Sequence, residues 1–179
     1  ETFFIPFPED WRGNNRLQQN EIKALNYASK IIKDNKNQIA AVIIEPLIQG
    51  ASGMKICRKE FLSKIVTMFK ESGIILIFDE VMTGFGRTGK MFATDHLSVS
   101  PDIICLAKSL TGGFIPLAVT VFSEMIHKQF MDKDIKKTFL HGHTFSANPV
   151  ACSAALCSLR LFNKDETFKN IESISKIHS

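Results

Sequence analysis

Two apolar runs in this chain end in side chains capable of chemistry. Gly73-Ile-Ile-Leu-Ile-Phe-Asp79-Glu80 delivers a carboxylate, and Asp102-Ile-Ile-Cys-Leu-Ala-Lys108 delivers an amine followed by Ser-Leu-Thr-Gly112-Gly113. Each run is too short for a typical helix and too continuous for a half-exposed strand. Each is therefore expected as a central strand of a sheet covered on both faces. Ligands of open α/β sheets bind beyond the carboxyl ends of the strands, where this acid and this lysine converge. A carboxylate facing a ring nitrogen and a lysine able to form an imine are the two groups that pyridoxal phosphate chemistry requires.

Each position also has a plainer reading. Lys108 is either a solvated loop residue or a reactive amine, its pKa lowered by apolar walls and a nearby cation, beside a glycine turn that lets backbone approach a ligand. Asp79 could cap a helix, pair with an arginine or hold the nitrogen of a pyridine ring in its protonated form; the chain offers no companion set of metal ligands. Glu80, next in the chain, points to the opposite side and is read as structural. Thr83-Gly84-Phe-Gly86-Arg87-Thr-Gly89 contains a formal GxGxxG, which invites a nucleotide-binding oxidoreductase reading over Gly84 to Gly89. Its setting is poor, because two acids precede it and no clear helix opens at its last glycine. Arg87 on that loop suits a substrate carboxylate or a surface ion pair. In His141-Gly142-His143-Thr144-Phe145 the Thr144 hydroxyl and the backbone at Gly142 and His143 suit a phosphate. Glu45, at the end of an earlier strand, either orients a cofactor or caps its own loop.

The elements that must position these groups follow from periodicity. Ile22, Leu25, Ala28 and Ile32 recur at helical spacing, which predicts a helix over 17–34. Ile39 to Ile44 is expected as a buried strand and 49–53 as a loop. Phe61, Leu62, Ile65, Val66 and Phe69 predict the next helix, ended by Gly73. Leu117 to Phe122 is a further strand, and Asn148-Pro149 opens the last strong helix, whose Ala151, Ala154 and Ala155 permit close packing. Helices alternating with apolar strands give an α/β fold with a mostly parallel sheet and helices on both faces.

Composition sets the outer limits. The 179 residues suffice for one well-buried domain, and a net charge of +4 is too mild and dispersed to argue for nucleic acid. No stretch approaches membrane-spanning length. Four cysteines without a CxxC pair are expected as free, mainly buried thiols in the cytoplasm. A start at Glu1 without methionine suggests a piece of a longer protein.

Taken together, four segments resemble the class III aminotransferases, pyridoxal 5'-phosphate enzymes of fold type I. They are Ile-Ile-Glu45-Pro46-Leu-Ile-Gln49-Gly50, Phe-Asp79-Glu80-Val81-Met-Thr-Gly84-Phe-Gly86-Arg87-Thr-Gly89, Pro101-Asp102-Ile-Ile-Cys-Leu-Ala-Lys108 and His141-Gly142-His143-Thr144-Phe145-Ser-Ala-Asn148-Pro149, in the family's order. The resemblance implies Lys108 as the imine lysine, Asp79 as the partner of the pyridine nitrogen and Val81 against the ring. It also implies a homodimer with shared active sites, in which Thr144 serves the cofactor phosphate of the neighbouring subunit. The stretch from Lys108 to Thr120, with Phe139 to His143, is most similar to the branch acting in biotin synthesis. That branch uses S-adenosylmethionine as amino donor and 8-amino-7-oxononanoate as acceptor, with Gly142 touching substrate and His143 beside the phosphate. His143 stands where relatives carry proline or serine. On this reading residues 1–163 are the central part of the cofactor-binding large domain, and 164–179 begin the connection to a C-terminal small domain. The alternative within the family is an aminotransferase for ω-amino acids or diamines; outside it stands a non-catalytic interaction domain.

Overall fold

The computed structural model describes residues 1–178. The first helix, α1, spans Leu17–Asp34 and buries Ala24, Ala28 and Ile31 along one face. Glu21 on the same face is held by Arg58, whose Nε donates at 2.8 Å and whose Nη2 bonds the second carboxylate oxygen. Strand β1 (Ala41–Ile44) follows, and then a hairpin of two short strands, β2 (Ile48–Gln49) and β3 (Lys55–Ile56). The expected loop at 49–53 is the tip of that hairpin. Helix α2 (Lys59–Glu71) buries Phe61, Leu62, Ile65, Val66 and Phe69. Its end is a full Schellman motif: Gly73 (φ 72°) donates to Lys70 and Ile74 to Phe69. Only a residue free to take positive φ completes that turn cheaply, which explains the glycine.

The site strands come next. Strands β4 (Ile75–Asp79), β5 (Ile103–Leu106) and β6 (Val119–Phe122) join β1 in a sheet of order β1-β4-β5-β6. The first three are parallel and β6 is antiparallel to β5. The sheet is thus the mostly parallel one expected. Asp102 ties its elements together: one carboxylate oxygen pairs with Lys70 Nζ of α2 at 2.7 Å, and the other accepts the Leu76 N–H of β4 at 2.8 Å.

Helices α3 (Glu124–Phe130), α4 (Pro149–Phe162) and α5 (Asp165–His178) complete the chain. Leu76 and Phe78 point into the core with Phe61, Leu62, Val66 and Phe69 of α2 and Ala24 and Ala28 of α1. Leu106 joins a second cluster with Phe85, Leu110 and Ala155 of α4. Alternation sends Ala41 and Ile43 of β1 to the other side, where Ile43 is 64 % exposed among the described residues. The strand predicted from Ile39 therefore begins at Ala41 and is buried on one side only. All four cysteines are free, as expected, but only Cys57 is buried; burial pushes its thiol up to about 12, and Cys157 is exposed. No described helix is long and apolar enough to cross a membrane.

The loop leaving β4 is anchored by Glu80, whose side chain is completely buried. Its carboxylate accepts the N–H groups of Ala93 (2.6 Å) and Thr94 (2.8 Å) and the Thr83 hydroxyl (3.3 Å). Burial pushes this carboxyl above its ordinary value, and those donors partly offset the shift. Glu80→Gln would turn an amide N–H toward a backbone N–H and leave one donor unpaired. Urea denaturation should show a loss of about 1–3 kcal/mol at neutral pH. An acid raised in the fold binds its proton more tightly folded than unfolded, so its contribution to stability falls as pH rises above 4.5. Because glutamine does not titrate, the deficit of the variant should narrow as pH is raised from that value. A constant deficit would contradict the raised carboxyl.

Candidate active site

Asp79 closes β4 and pairs in register with Cys105 of β5; Lys108 lies three residues beyond Cys105. Neighbouring strands lie about 4.8 Å apart, so acid and amine leave the sheet from adjacent strand ends. Asp79 is half-buried, and its Oδ1 accepts the Val81 N–H at 3.1 Å. No other bond engages its carboxylate among the described residues. Lys108 is exposed and its amine has no partner among the described residues. Its backbone takes φ 46°, the left-handed region that residues with a side chain seldom enter. The turn around it is held by Gly113 N–H to the Lys108 carbonyl (3.3 Å) and by Thr111 Oγ1 donating to the Ile115 carbonyl (2.7 Å).

The glycine loop above Asp79 is built from turns. Phe85 is buried against Phe92 and Phe162, with ring centres 5.6 and 5.7 Å away. Gly86 has φ 85°, and a Cβ there would stand 2.5 Å from Ile171 Cδ1 of α5. After Gly89 the chain makes only a four-residue 3-10 turn, Ala93–His96. A pyrophosphate site needs a helix opening at that glycine, so the nucleotide-binding reading of Gly84 to Gly89 fails on local geometry. Arg87 is exposed and makes no ion pair among the described residues. The plain surface-pair reading of Arg87 therefore has no partner to support it.

Glu45 binds its own loop: Oε2 accepts the Gly50 N–H at 2.8 Å. Gly50 in turn lies against Met82, whose Cε would be 3.1 Å from a Cβ at that position, so the loops after β1 and β4 touch. His141, Gly142, His143 and Thr144 form an exposed segment. Within it His143 Nδ1 accepts the Phe145 N–H (3.2 Å) and the His143 N–H donates to Ser146 Oγ (3.2 Å). The Thr144 hydroxyl is unpartnered among the described residues. Asn148 caps α4 as expected, its side chain accepting from Val150 and Ala151 N–H at 3.0 and 3.1 Å.

The structure thus brings Asp79, Val81 and Lys108 to one edge of the sheet, with Glu45 beyond β1 on the same edge. It adds three supporting residues that pattern reasoning passed over: Asp102, Thr111 and Ser158. Ser158 extends the buried series Ala151 and Ala155 of α4, and its Oγ donates to the Ser109 carbonyl at 3.1 Å. The spacing 151, 155, 158 was the available signal, since it defines one helix face.

Comparison with known proteins agrees with this geometry. The chain matches the class III aminotransferase family over residues 2–179. It is 45% identical over 163 residues to the adenosylmethionine-8-amino-7-oxononanoate aminotransferase of Synechococcus elongatus, covering 91% of this chain and 38% of that protein. The crystal structure of the enzyme of that name from Methanocaldococcus jannaschii superposes with a TM-score of 0.80 at 38% identity, covering 87% of this chain and 37% of that one. An (S)-enantioselective omega-transaminase from Thermomicrobium roseum superposes with a TM-score of 0.81 at 34% identity, covering 92% of this chain and 37% of that one. The chain therefore spans little more than a third of these relatives' length. Two adjacent strand ends, one bearing an acid with an open oxygen and the other an amine without a partner among the described residues, and a family match over residues 2–179 lead to one conclusion: this chain belongs to the class III aminotransferases.

Proposed function

We propose that this chain carries the cofactor-holding centre of a pyridoxal phosphate-dependent aminotransferase of biotin synthesis. It would move an amino group from S-adenosylmethionine to 8-amino-7-oxononanoate, giving 7,8-diaminononanoate. The observation that carries the reading is the pairing, at neighbouring ends of parallel strands, of Asp79, one of whose carboxylate oxygens is open, with the Lys108 amine, which has no partner among the described residues. The identity to biotin-pathway relatives supports the choice of substrates.

The donor set fits such a cofactor: an acid with one open oxygen for a ring N–H, a primary amine for an aldehyde and, contributed from the second copy of the chain, the Thr144 hydroxyl for a phosphate. When bound, the cofactor supplies a carbonyl that captures amines and a ring that takes up the electrons released when a substrate proton leaves. Lys108 would hold it covalently through Nζ, and its amine, when free, would accept and return the proton of the substrate's reacting carbon. Asp79, through its free oxygen, would keep the ring nitrogen protonated. Val81 would lie against the ring, and Glu45, fixed by the Gly50 N–H, would orient it from beyond β1. Arg87 would pair with a substrate carboxylate, and Gly142 would touch substrate.

Thr144 would bind the phosphate in the neighbouring subunit of a homodimer, with His143 beside it. His143 Nδ1 accepts the Phe145 N–H, its main-chain N–H donates to Ser146 Oγ and its carbonyl accepts the Ser146 N–H, so its ring Nε2 is the polar atom left open among the described residues. Exposed Phe114, Phe139, Leu140 and Phe145 offer the apolar surface such a partner needs. We assign 1–163 to the central part of a large domain and 164–179 to the start of the connection toward a small one. The four free thiols suit a cytoplasmic setting. The likeness to an omega-transaminase keeps a second reading, an aminotransferase for ω-amino acids or diamines.

Three variants of the full-length protein test these roles. Lys108→Ala should abolish covalent cofactor attachment, read by borohydride reduction and peptide mass mapping; a phosphopyridoxyl label on another lysine would refute the assignment. Asp79→Asn should fold normally but lose roughly 10²–10³ in single-turnover rate, as for other preorganised charge contacts. Near-parental rates would remove Asp79 from the mechanism. Arg87→Lys should weaken reaction with the carboxylate-bearing substrate while cofactor stays bound, because lysine cannot reproduce a bidentate pair. Half-reactions run separately with S-adenosylmethionine and with 8-amino-7-oxononanoate identify which substrate is affected. Failure to react with S-adenosylmethionine, beside ready reaction with a diamine, would select the second reading.

A further inference from the structure

Lys108 combines two properties that conflict. It is exposed, with an unengaged amine, yet its backbone sits at φ 46°, a conformation costing an ordinary residue about 1 kcal/mol or more. Such a conformation persists only where surrounding contacts over-determine it. The contacts on the turn can be named. Gly112 (φ 64°) and Gly113 (φ 80°) close it with N–H bonds to the Ser109 and Lys108 carbonyls. Thr111, 3 % exposed, ties it forward to Ile115. These bonds are internal to the turn and its exit. Among the described residues one hydrogen bond comes from outside: Ser158 Oγ of α4, 49 positions along the chain, donates to the Ser109 carbonyl at 3.1 Å.

Ser158 is 8 % exposed and lies on the face of α4 that also buries Ala151 and Ala155. Those small side chains let the helix approach closely enough for a hydroxyl, the shortest donor available, to span the gap. Leu110, 5 % exposed, packs in the same cluster as Ala155. The residue that follows Lys108 is therefore gripped at its carbonyl and the next one at its side chain. The start of α4 is fixed by the Asn148 cap on its first turn.

We propose that Ser158 is a positioning residue for Lys108: by holding the Ser109 carbonyl, it keeps the lysine turn in the left-handed conformation from which the amine meets the cofactor. The proposal rests on the reading of Lys108 as the cofactor-holding lysine. It adds a residue on a separate helix that acts only through that turn.

Ser158→Ala in the full-length holoenzyme is the test, because alanine favours the helix and leaves no bulk to accommodate. Thr167→Ala is the reference: it removes a comparable hydroxyl-to-carbonyl bond, Thr167 Oγ1 to Leu161 O at 2.6 Å, near the far end of α4. The absorbance band of the lysine-attached cofactor is titrated against pH in each protein, and the rate at which apoprotein captures pyridoxal phosphate is followed. Ser158→Ala should shift the titration midpoint by about 0.3–1 pH unit and slow capture about 2- to 10-fold, the range one neutral hydrogen bond supports. Thr167→Ala should leave both at parental values. An unmoved midpoint in Ser158→Ala, or an equal shift in Thr167→Ala, overturns the proposal. Lys108→Ala separates the two levels: a band that survives in it sinks the lysine assignment itself, whereas a band lost there and unmoved in Ser158→Ala sinks only the positioning role.

Discussion

Because β4 and β5 run parallel with Asp79 opposite Cys105, both chains leave the sheet at one edge and within reach of one ligand. The proposed site depends on that register. A slip of one residue would send Asp79 to the side carrying Phe78 and bring Phe78 to its place. Apolar patterning alone resists such a slip weakly here, since β5 is apolar throughout and β4 is apolar up to Asp79. Asp102 supplies what the pattern lacks. Its two oxygens engage Lys70 and the Leu76 N–H at once, so α2, β4 and the start of β5 are aligned by one side chain. It makes these bonds while still substantially buried, where a misaligned carboxylate would be costly.

Asp79 and Glu80 illustrate how neighbouring carboxylates acquire opposite duties. Strand alternation turns them apart. Glu80 enters the interior and spends its capacity on two backbone N–H groups and a hydroxyl, which hold the loop that carries Arg87. Asp79 stays half-buried and accepts only the Val81 N–H. A carboxylate left with an open oxygen beside a free amine is chemically available; one satisfied by its own fold is not.

Much of this was legible in the residues. The helical spacing of Ile22, Leu25, Ala28 and Ile32 gave α1 its observed bounds but not its face, which runs through Glu21, Ala24, Ala28 and Ile31 and leaves Ile22 exposed; Asn148-Pro149 marked the start of α4 through a capping rule that needs no tertiary information. Gly73 ended α2 by the same kind of local logic. The strand ends bearing Asp79 and Lys108 were readable because a buried strand must be apolar until it leaves the sheet. What escaped were partnerships across long separations. Nothing near Glu80 says that Ala93 and Thr94 fold back onto it, and nothing near Ser158 says that its hydroxyl faces Ser109. Coverage of β1 was misjudged at Ile43 because an apolar run reports hydrophobicity, not which element lies over it. The GxGxxG pattern misled for the same reason: three glycines state that the chain turns, not that a helix follows.

Gly86 shows how far such distant partnerships reach. The methyl end of Ile171 occupies the space where a side chain at position 86 would begin. The arginine loop and α5 therefore share one volume, and a side chain at position 86 cannot be accommodated while Ile171 keeps its place. Trimming Ile171 would open that space, yet the positive φ at 86 would still disfavour any residue with a Cβ. The dependence is one-sided: position 171 has a range of tolerable residues set by position 86, whereas position 86 favours glycine whatever stands at 171.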